Sequence, residues 1–383
     1  MARGPDGKGG GAGFSLADQL FNPTSLGDLA REYAVLPDFD PDRFLNDAVA
    51  GMAGRGLLDR LEWIATCIET QLPKSFPRMK DALEAAMPPP LDPGLRDNDF
   101  GRFIHAVPGI LAVRHGLEDH RDAALDLIHG ATKRFSMEFY IRPFLNRWPQ
   151  ETLARLEAWC EDDNYHVRRL VSEGTRPRLP WARKIDLAPE GPLRLLDRLH
   201  ADPTRYVTRS VANHLNDLSR IMPDVVVARL KRWRQEDRQL RRELDWMTRH
   251  ALRTAIKRGE PAALEVLGYR AADIDAELVL ERKALRLGDS LRFVVRLLAR
   301  EDLPVVVDYR IRFARPGGSA EKVFKLKVAR LRANVVEVLS KTHPLKADAS
   351  TFRLYPGRHD IIVQVNGQDV ARAGFDIQDR SAG

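Results

Sequence analysis

Apolar residues recur every three or four positions over roughly the first two thirds of the chain. One such series is Leu57, Leu58, Leu61, Ile64, Ala65 and Ile68. This spacing places the apolar side chains on one face of an amphipathic helix. Prolines stand between this series and the later ones, and each is expected to end a helical segment. The pattern therefore predicts an all-helical region from residue 15 to about residue 269.

From about residue 275 the pattern changes to short β-branched segments that partly alternate between apolar and polar residues. The clearest of these segments are Ser290–Leu298, Val305–Phe313, Val323–Val328 and Asp360–Val365. Glycine-containing turns such as Asn366-Gly367 separate them. Short strands with regularly spaced turns are typical of an all-β sandwich of about 100 residues. We therefore predict a second, β-rich domain.

A repeat with a period of 40 residues runs through the helical region. The arginines that share one repeat position are Arg169, Arg209 and Arg249. The apolar residues that share another are Val167, Val207 and Met247. Arg134 and Glu138 have the spacing of Arg169 and Glu173, which indicates a further copy upstream. This period is typical of HEAT-like helix pairs, which stack into a solenoid with equivalent positions along one face.

These patterns together predict a mainly α protein. We expect a HEAT-like α-α superhelical solenoid over residues 14–272 and a smaller all-β sandwich over residues 276–383. Residues 1–13 are rich in glycine and contain no apolar segment, so we expect a flexible tail and not a signal peptide.

Charge is distributed unevenly along the chain. The net charge of +7 arises from 61 Lys and Arg residues against 54 Asp and Glu residues. Residues 1–164 carry −8, residues 165–258 carry +11 and residues 276–383 carry +7. Two basic blocks after an acidic one favour a directed contact with a polyanion.

Several classes of protein and site are excluded by the sequence. No run approaches the roughly 18 apolar residues of a membrane-spanning helix. Cys67 and Cys160 stand far apart, without a Cys/His cluster, so we expect neither a structural zinc site nor a disulfide framework. We expect two reduced, buried thiols in a cytoplasmic protein that uses no metal and no cofactor.

The segment from His166 to Trp181 is the most distinctive in the chain. Glu173 falls in the last turn of a helix that Gly174 and Pro177 should end. A carboxylate is disfavoured there by the helix dipole, so it needs a partner. The arginines near enough in sequence to neutralise it are Arg169, Arg176 and Arg178. Two interpretations remain open: a local ion pair, or a carboxylate held among phosphate-binding arginines.

This segment resembles the signature of the AlkC branch of the AlkC/AlkD-type DNA glycosylases. The segments Glu138–Leu145 and Arg209–Asp217 are also similar to that family. The similarity extends over roughly residues 14–270. The β-rich C-terminal part resembles the immunoglobulin-like domain that one AlkC subgroup carries.

The resemblance implies a monofunctional DNA glycosylase, acting at the first step of base excision repair. Such an enzyme hydrolyses the N-glycosidic bond of cationic bases, 3-methyladenine and 3-methylcytosine, without inserting the base into a deep pocket. Carried over by motif, Glu173 would stabilise the oxocarbenium-like sugar and position water. Glu138 would be a second active-site carboxylate, and Trp181 an aromatic beside the lesion. Asp217 stays outside this set, because an exposed residue at a helix end explains it equally well.

The resemblance also implies double-stranded DNA with alkylated bases as the partner. The repeat arginines Arg169, Arg209 and Arg249 would then bind phosphates, with weaker contributions from Arg176 and Arg178. In the β domain, the residues that would clamp the second side of the duplex are Arg310, Arg312, Lys325 and Lys327. We expect a monomer associated with the bacterial nucleoid in the cytoplasm.

Each of these functional interpretations has a structural alternative. The repeat arginines can bridge neighbouring repeats, and the charges of the β domain can form a solvated face. A loop tryptophan such as Trp181 often covers a core. The whole chain can likewise be a HEAT-repeat scaffold that binds DNA or a protein without catalysis.

Overall fold

The computed structural model describes residues 15–271, 273–345 and 353–378. Within these ranges sixteen α-helices are followed by eight β-strands. This order confirms the predicted mainly α architecture with a β-rich C-terminal part. The expected tail, residues 1–13, lies outside the described residues. In the described ranges, no helix is both long enough and apolar enough to cross a membrane.

The chain divides into two compact units. The first unit contains the chain up to Asp217 together with a short later segment, Arg238–Leu240. The second unit contains the remaining residues from Leu218 onward. The helices of the first unit are α1 (Leu16–Leu20), α2 (Pro23–Tyr33), α3 (Pro41–Ala50), α4 (Leu57–Glu69), α5 (Phe76–Ala85), α6 (Val107–Gly116), α7 (Arg121–Thr132), α8 (Ile141–Arg147), α9 (Pro149–Trp159), α10 (Tyr165–Gly174), α11 (Leu193–Leu199) and α12 (Arg205–Leu218), whose last residue belongs to the second unit.

In its described part, the second unit contains four helices and eight strands. Its helices are α13 (Pro223–Glu236), α14 (Arg241–Ala251), α15 (Arg253–Lys257) and α16 (Pro261–Val266). Its strands are β1 (Ile274–Leu280), β2 (Ala284–Arg286), β3 (Ser290–Ala299), β4 (Leu303–Arg315), β5 (Gly318–Leu331), β6 (Val336–Pro344), β7 (Gly357–Val365) and β8 (Gln368–Gln378).

The 40-residue repeat corresponds to consecutive helix pairs along the chain. The pairs are α9–α10, α11–α12 and α13–α14, and each repeated arginine lies on the second helix of its pair. The repeated apolar residues Val167, Val207 and Met247 are completely buried. A buried residue at the same place in each pair is what a HEAT-like repeat requires.

The predicted helical placement of Arg134 and Glu138 in an upstream copy of the repeat is wrong. Arg134 and Glu138 lie in the loop between α7 and α8, not on a helix. The backbone is no longer helical after Thr132, and hydrogen bonds of the Arg134 side chain stabilise the loop conformation. The Arg134 guanidinium donates to the carbonyl oxygens of Pro88 and Gly130, at 2.7 and 2.9 Å. Glu138 therefore reaches the site from a loop, although its spacing matched a helix.

The strands form two sheets around a common apolar core. One sheet has the order β1-β3-β6, and the other has the order β2-β8-β7-β4-β5. Alternating residues of β3 and β4 point into the core, so that Val295, Tyr309 and Ile311 are almost completely buried. A register shift in β4 between Val307 and Asp308 interrupts its pairing with β5.

The β7–β8 turn joins the sandwich to the last helices within the second unit. Asn366 donates from its amide to the carbonyl oxygen of Arg270 at 2.9 Å and to that of Pro304 at 3.1 Å. The next residue, Gly367, has a φ of 83°, and a Cβ there would come within 2.5 Å of the Gly259 carbonyl oxygen. Only glycine satisfies both requirements, which explains the predicted Asn-Gly turn.

Candidate active site

Helix α10 is fixed at both ends, and its C-terminal end packs closely against α8. Its N-terminus is capped by Asn164, whose side-chain oxygen accepts a hydrogen bond from the His166 backbone at 2.9 Å. Its C-terminus packs so tightly that a Cβ on Gly174 would approach the Ile141 side chain to 2.5 Å. Tight packing at this end fixes the last turn, where Glu173 lies.

Glu173 is buried and is surrounded by donors. Its side chain is 7% exposed. Arg176 Nη1 donates to Oε1 at 2.6 Å, and Ser210 Oγ of α12 donates to Oε2 at 2.6 Å. Arg169 Nη2 lies 3.7 Å from Oε1. The partner expected for a carboxylate at a helix C-terminus is therefore present, and it is a pair of arginines.

Arg169 connects Glu173 to Glu138. Its Nη1 donates to Glu138 Oε2 and to Ser136 Oγ, both at 2.7 Å. Its guanidinium also lies 4.7 Å from the ring centroid of Tyr206, a cation–π contact. The side chain of Glu138 is 18% exposed, more than that of Glu173. Glu138 is thus the more accessible of the two carboxylates.

Asp217 extends the arrangement at its other end. Arg176 Nε donates to Asp217 Oδ2 at 2.9 Å while its Nη1 bonds Glu173. Asp217 is 4% exposed, so the expectation of an exposed helix-end residue is wrong. It lies seven residues, about two helical turns, after Ser210 on α12 and shares its face. This spacing puts Asp217 beside Glu173 only because Ser210 already bonds Glu173, a contact that the sequence does not reveal.

The result is a row of alternating charges, here called the charged row. Its members in order are Glu138, Arg169, Glu173, Arg176 and Asp217. Three carboxylates face two guanidiniums, so the row has an excess of one negative charge when all three are ionised. Opposite charges within hydrogen-bond distance compensate the cost of burying each other.

The two most buried carboxyl groups of the row have shifted pKa values. Burial alone would raise the pKa of Glu173, but Arg169, Arg176 and the Ser210 hydrogen bond lower it by more, so it lies below its ordinary value. The pKa of Asp217 is raised, because burial outweighs its attraction to Arg176. Glu173 is therefore an anion at neutral pH, able to face a positive charge and unable to donate a proton.

We expect Glu173 to contribute to the acid sensitivity of the protein. A carboxyl group whose folded pKa lies below its unfolded value stabilises above the unfolded pKa, and this stability is lost as the pH falls through the folded pKa. Glu173→Gln should therefore flatten the decrease in unfolding free energy below about pH 4. Urea denaturation over a pH series measures this decrease, and an equally steep decrease in the variant would contradict the expectation.

Trp181 occupies the loop after α10. It is 69% exposed and has a φ of 63°, a conformation that costs a bulky residue about 1–3 kcal/mol. Its indole lines a cavity of about 210 Å³ together with Phe139 and Tyr140. Neither Glu138 nor Glu173 lines this cavity. The structure thus places Trp181 beside the residues that follow Glu138, and outside the charged row.

Comparisons with known proteins identify the fold and the family of the chain. Residues 275–379 match the family described as the C-terminal Ig-like domain of the uncharacterised protein YhaZ. Protein YhaZ of Bacillus subtilis (strain 168) is 31% identical over 343 residues, which is 87% of this chain and 90% of that protein. The structure of Pseudomonas fluorescens alkylpurine DNA glycosylase AlkC, bound to DNA containing an abasic site analog, matches with a TM-score of 0.81 and 34% identity, covering 95% of this chain and all of that one.

The chain belongs to the AlkC family. The YhaZ match alone would leave the chemistry open, because that protein is uncharacterised. The match to AlkC covers both the helices and the sandwich, so the predicted fold and family resemblance are confirmed.

The repeat arginines of this AlkC-family chain differ in their surroundings. The Arg169 side chain is 13% exposed and is committed to carboxylates. Arg209 is 30% exposed, and its Nη2 lies 2.6 Å from Asp97 Oδ1. Arg249 is exposed on α14. Of the two weaker candidates, Arg176 is held in the charged row, whereas Arg178 is exposed.

The basic residues of the sandwich have acidic neighbours. Arg310 pairs with Asp369 and, at 3.2 Å, with Glu321. Arg312 pairs with Glu321 at 2.7 Å. The remaining members of the expected clamp are Lys327, which pairs with Glu337 at 2.8 Å, and Lys325, which is exposed opposite Asp308 in the β4–β5 register.

Proposed function

We propose that this AlkC-family protein is a monofunctional DNA glycosylase that hydrolyses the N-glycosidic bond of 3-methyladenine and 3-methylcytosine in double-stranded DNA. The observation that carries the proposal is the charged row, in which Glu173 is held as an anion. The match to an alkylpurine DNA glycosylase over nearly the whole chain supports the same chemistry.

A cationic base is already a good leaving group. When its bond to C1′ breaks, the electron pair neutralises the base and positive charge develops on the sugar. A fixed carboxylate stabilises that charge without reorganising. In the charged row Glu173 would supply this negative charge, while Arg169, Arg176 and Asp217 hold it in place.

Water must then add to C1′ and lose a proton. Glu138 suits this role because it is more exposed than Glu173, and the donors that reach it among the described residues, Ser136 and Arg169, both bond Oε2. Oε1 is thus left to accept the proton of an attacking water. Trp181 would present its ring to the cationic base or sugar, an attraction of about 0.5–2 kcal/mol.

Phosphate binding falls to the more exposed basic residues. In the helical part we propose Arg209, Arg249 and Arg178, while Arg169 and Arg176 act mainly by holding the carboxylates. In the sandwich the candidates are Arg310, Arg312, Lys325 and Lys327. The surface ion pairs of Arg310, Arg312 and Lys327 are worth only about 0–1 kcal/mol and would exchange readily for phosphate.

The decisive experiment measures release of 3-methyladenine and 3-methylcytosine from methylated duplex DNA by the full chain, with and without EDTA. We expect release of free base, an abasic product without strand cleavage, and no effect of the chelator. Electrophoretic binding to the same DNA is the parallel measurement. Binding without release would instead favour the non-catalytic scaffold.

We expect Arg209 and Asp97 to change DNA binding in opposite directions. Arg209→Ala should weaken binding and lower the slope of log affinity against log salt by about one, because one phosphate contact is lost. Asp97→Asn should strengthen binding, since Asp97 competes with phosphate for the guanidinium. Fluorescence anisotropy over a salt series measures both.

The control for this pair is Arg31→Ala, which removes an exposed arginine from α2, outside the repeat. An equal loss of affinity in Arg209→Ala and Arg31→Ala would show that only net charge matters, and would contradict a phosphate contact at Arg209.

A further inference from the structure

The chain between Glu173 and Trp181 is held by side chains of α8. After α10 ends at Gly174, the backbone follows an irregular path until α11 begins at Leu193. The first part of this irregular stretch, residues 175–186, is here called the α10 loop. It carries both Arg176, a member of the charged row, and Trp181. A loop with functional residues needs a scaffold that fixes it.

Arg142 of α8 provides one part of that scaffold. It is 1% exposed. Its Nη1 donates to the carbonyl oxygens of Gly174 and Arg176 at 2.9 and 2.8 Å, and its Nε donates to that of Arg183 at 2.5 Å. These acceptors lie on both sides of Trp181 in the sequence. One guanidinium therefore connects the two ends of the segment that contains Trp181.

Asn146 adds two contacts one helical turn later. Its Nδ2 donates to the carbonyl oxygen of Lys184 at 3.0 Å, and its Oδ1 accepts from the backbone N–H of Asp186 at 3.0 Å. Residues four apart on a helix point to the same side. Arg142 and Asn146 thus form a continuous line of five hydrogen bonds to the backbone of Gly174 and the α10 loop, here called the α8 clamp.

The chemistry of Arg142 is unusual for a core position. Within the described residues its hydrogen bonds reach backbone carbonyls and no carboxylate, so the buried charge is compensated mainly by carbonyl dipoles, with a weaker electrostatic attraction from Asp217. Burial and the nearby Arg176 lower the pKa of Arg142 to about 10. The group is still charged at neutral pH. An apolar residue would fill the same volume without this cost, so the fork geometry of the guanidinium must serve to hold carbonyls.

We infer that Arg142 and Asn146 are positioning residues that fix Arg176 and Trp181 relative to Glu138 and Glu173 for base release. This inference rests on the proposed glycosylase function. α8 begins three residues after Glu138, so the helix that anchors the loop also fixes the end of the Glu138 segment. A displacement of about 1 Å in such an arrangement lowers a rate by up to about 100-fold.

The test compares Asn146→Ala with Gln71→Ala in the full chain. Gln71 is a matched control, because its side-chain amide also makes two backbone hydrogen bonds, both to Asp40, at 2.8 and 3.2 Å. Three quantities are measured for each protein: amide hydrogen exchange of residues 175–186, affinity for methylated duplex DNA, and the single-turnover rate of base release. We also include Arg142→Lys, which keeps the positive charge and loses the planar arrangement of guanidinium donors.

We expect Asn146→Ala to exchange faster in the α10 loop and to release base about 10-fold more slowly, with DNA affinity nearly unchanged. Arg142→Lys should increase exchange in the α10 loop and slow base release by more than Asn146→Ala does. Gln71→Ala should match the wild type. Unchanged exchange in Asn146→Ala, or faster exchange with an unchanged rate, would overturn the inference while the enzyme stays active. A wild-type protein that releases no base would instead overturn the proposed function itself.

Discussion

Glu173→Gln is expected to lower the single-turnover rate of 3-methyladenine release by about 100- to 1000-fold, a loss typical for removal of one preorganised electrostatic group. Glutamine keeps the size of the side chain and an oxygen that can accept from Ser210 or Arg176. The negative charge that would face the developing sugar cation is lost. DNA affinity should change little, because the Glu173 side chain is buried and paired with Arg169 and Arg176. Quantifying free base by chromatography measures the rate.

The matched control is Glu69→Gln. Glu69 is also partly buried and ion-paired, with Arg114 at 2.6 Å, and its pKa is likewise lowered despite burial, by Arg114 and His115. It lies on α4, outside the charged row. Release at the wild-type rate by Glu173→Gln would remove Glu173 from the chemistry. Equal loss in both variants would attribute the effect to general destabilisation.

Much of the helical architecture could be predicted, because it depends on local spacing. The repeat positions of Val167, Val207 and Met247 are buried as the 40-residue period implies. The strands were predicted less completely. β1, β2, β6 and β8 lie outside the segments that the alternation singled out. In β8, Ala371, Ala373 and Gly374 have low strand propensity, and the strand is held by pairing with β7 on one side and β2 on the other. Pairing between strands distant in sequence, such as that of β2 with β8, is not encoded by local composition.

In the candidate site too, features that depend on local sequence could be predicted, whereas features that depend on tertiary packing could not. The need of Glu173 for an arginine partner followed from its place at a helix C-terminus, and Arg169 and Arg176 meet it. The role of Asp217 could not be assigned, because it depends on how α12 packs beside α10. The loop position of Glu138 was missed for a related reason: spacing along the chain imitated a helix that tertiary contacts prevent.

The equivalent arginines have separate roles because their neighbours differ. Arg169 has Glu173 one turn later, whereas the corresponding positions after Arg209 and Arg249 are Asn213 and Arg253. Of these three repeats, only the first therefore places a carboxylate four residues after its arginine. This difference turns Arg169 into a buried partner of carboxylates and leaves Arg209 more exposed.

Arg169→Met is accordingly expected to lower the unfolding free energy by about 3–5 kcal/mol, the usual cost of removing one partner from a buried ion pair. Methionine fills much of the volume and leaves Glu138 and Glu173 without the guanidinium between them. Burial, which raises the pKa of Glu173, would then be opposed only by Arg176 and the Ser210 hydrogen bond. Urea denaturation at neutral pH measures the loss, and base release should fall with it.

Arg209→Met is the control, because its partner Asp97 is 28% exposed and such pairs contribute only about 0–1 kcal/mol. We expect it to leave stability nearly unchanged and to weaken DNA binding. If Arg169→Met were equally mild in denaturation and lowered only DNA affinity, Arg169 would be a phosphate-binding residue like Arg209. A large loss confined to Arg169→Met would instead show that the repeat uses one arginine to hold the carboxylates and leaves another for DNA.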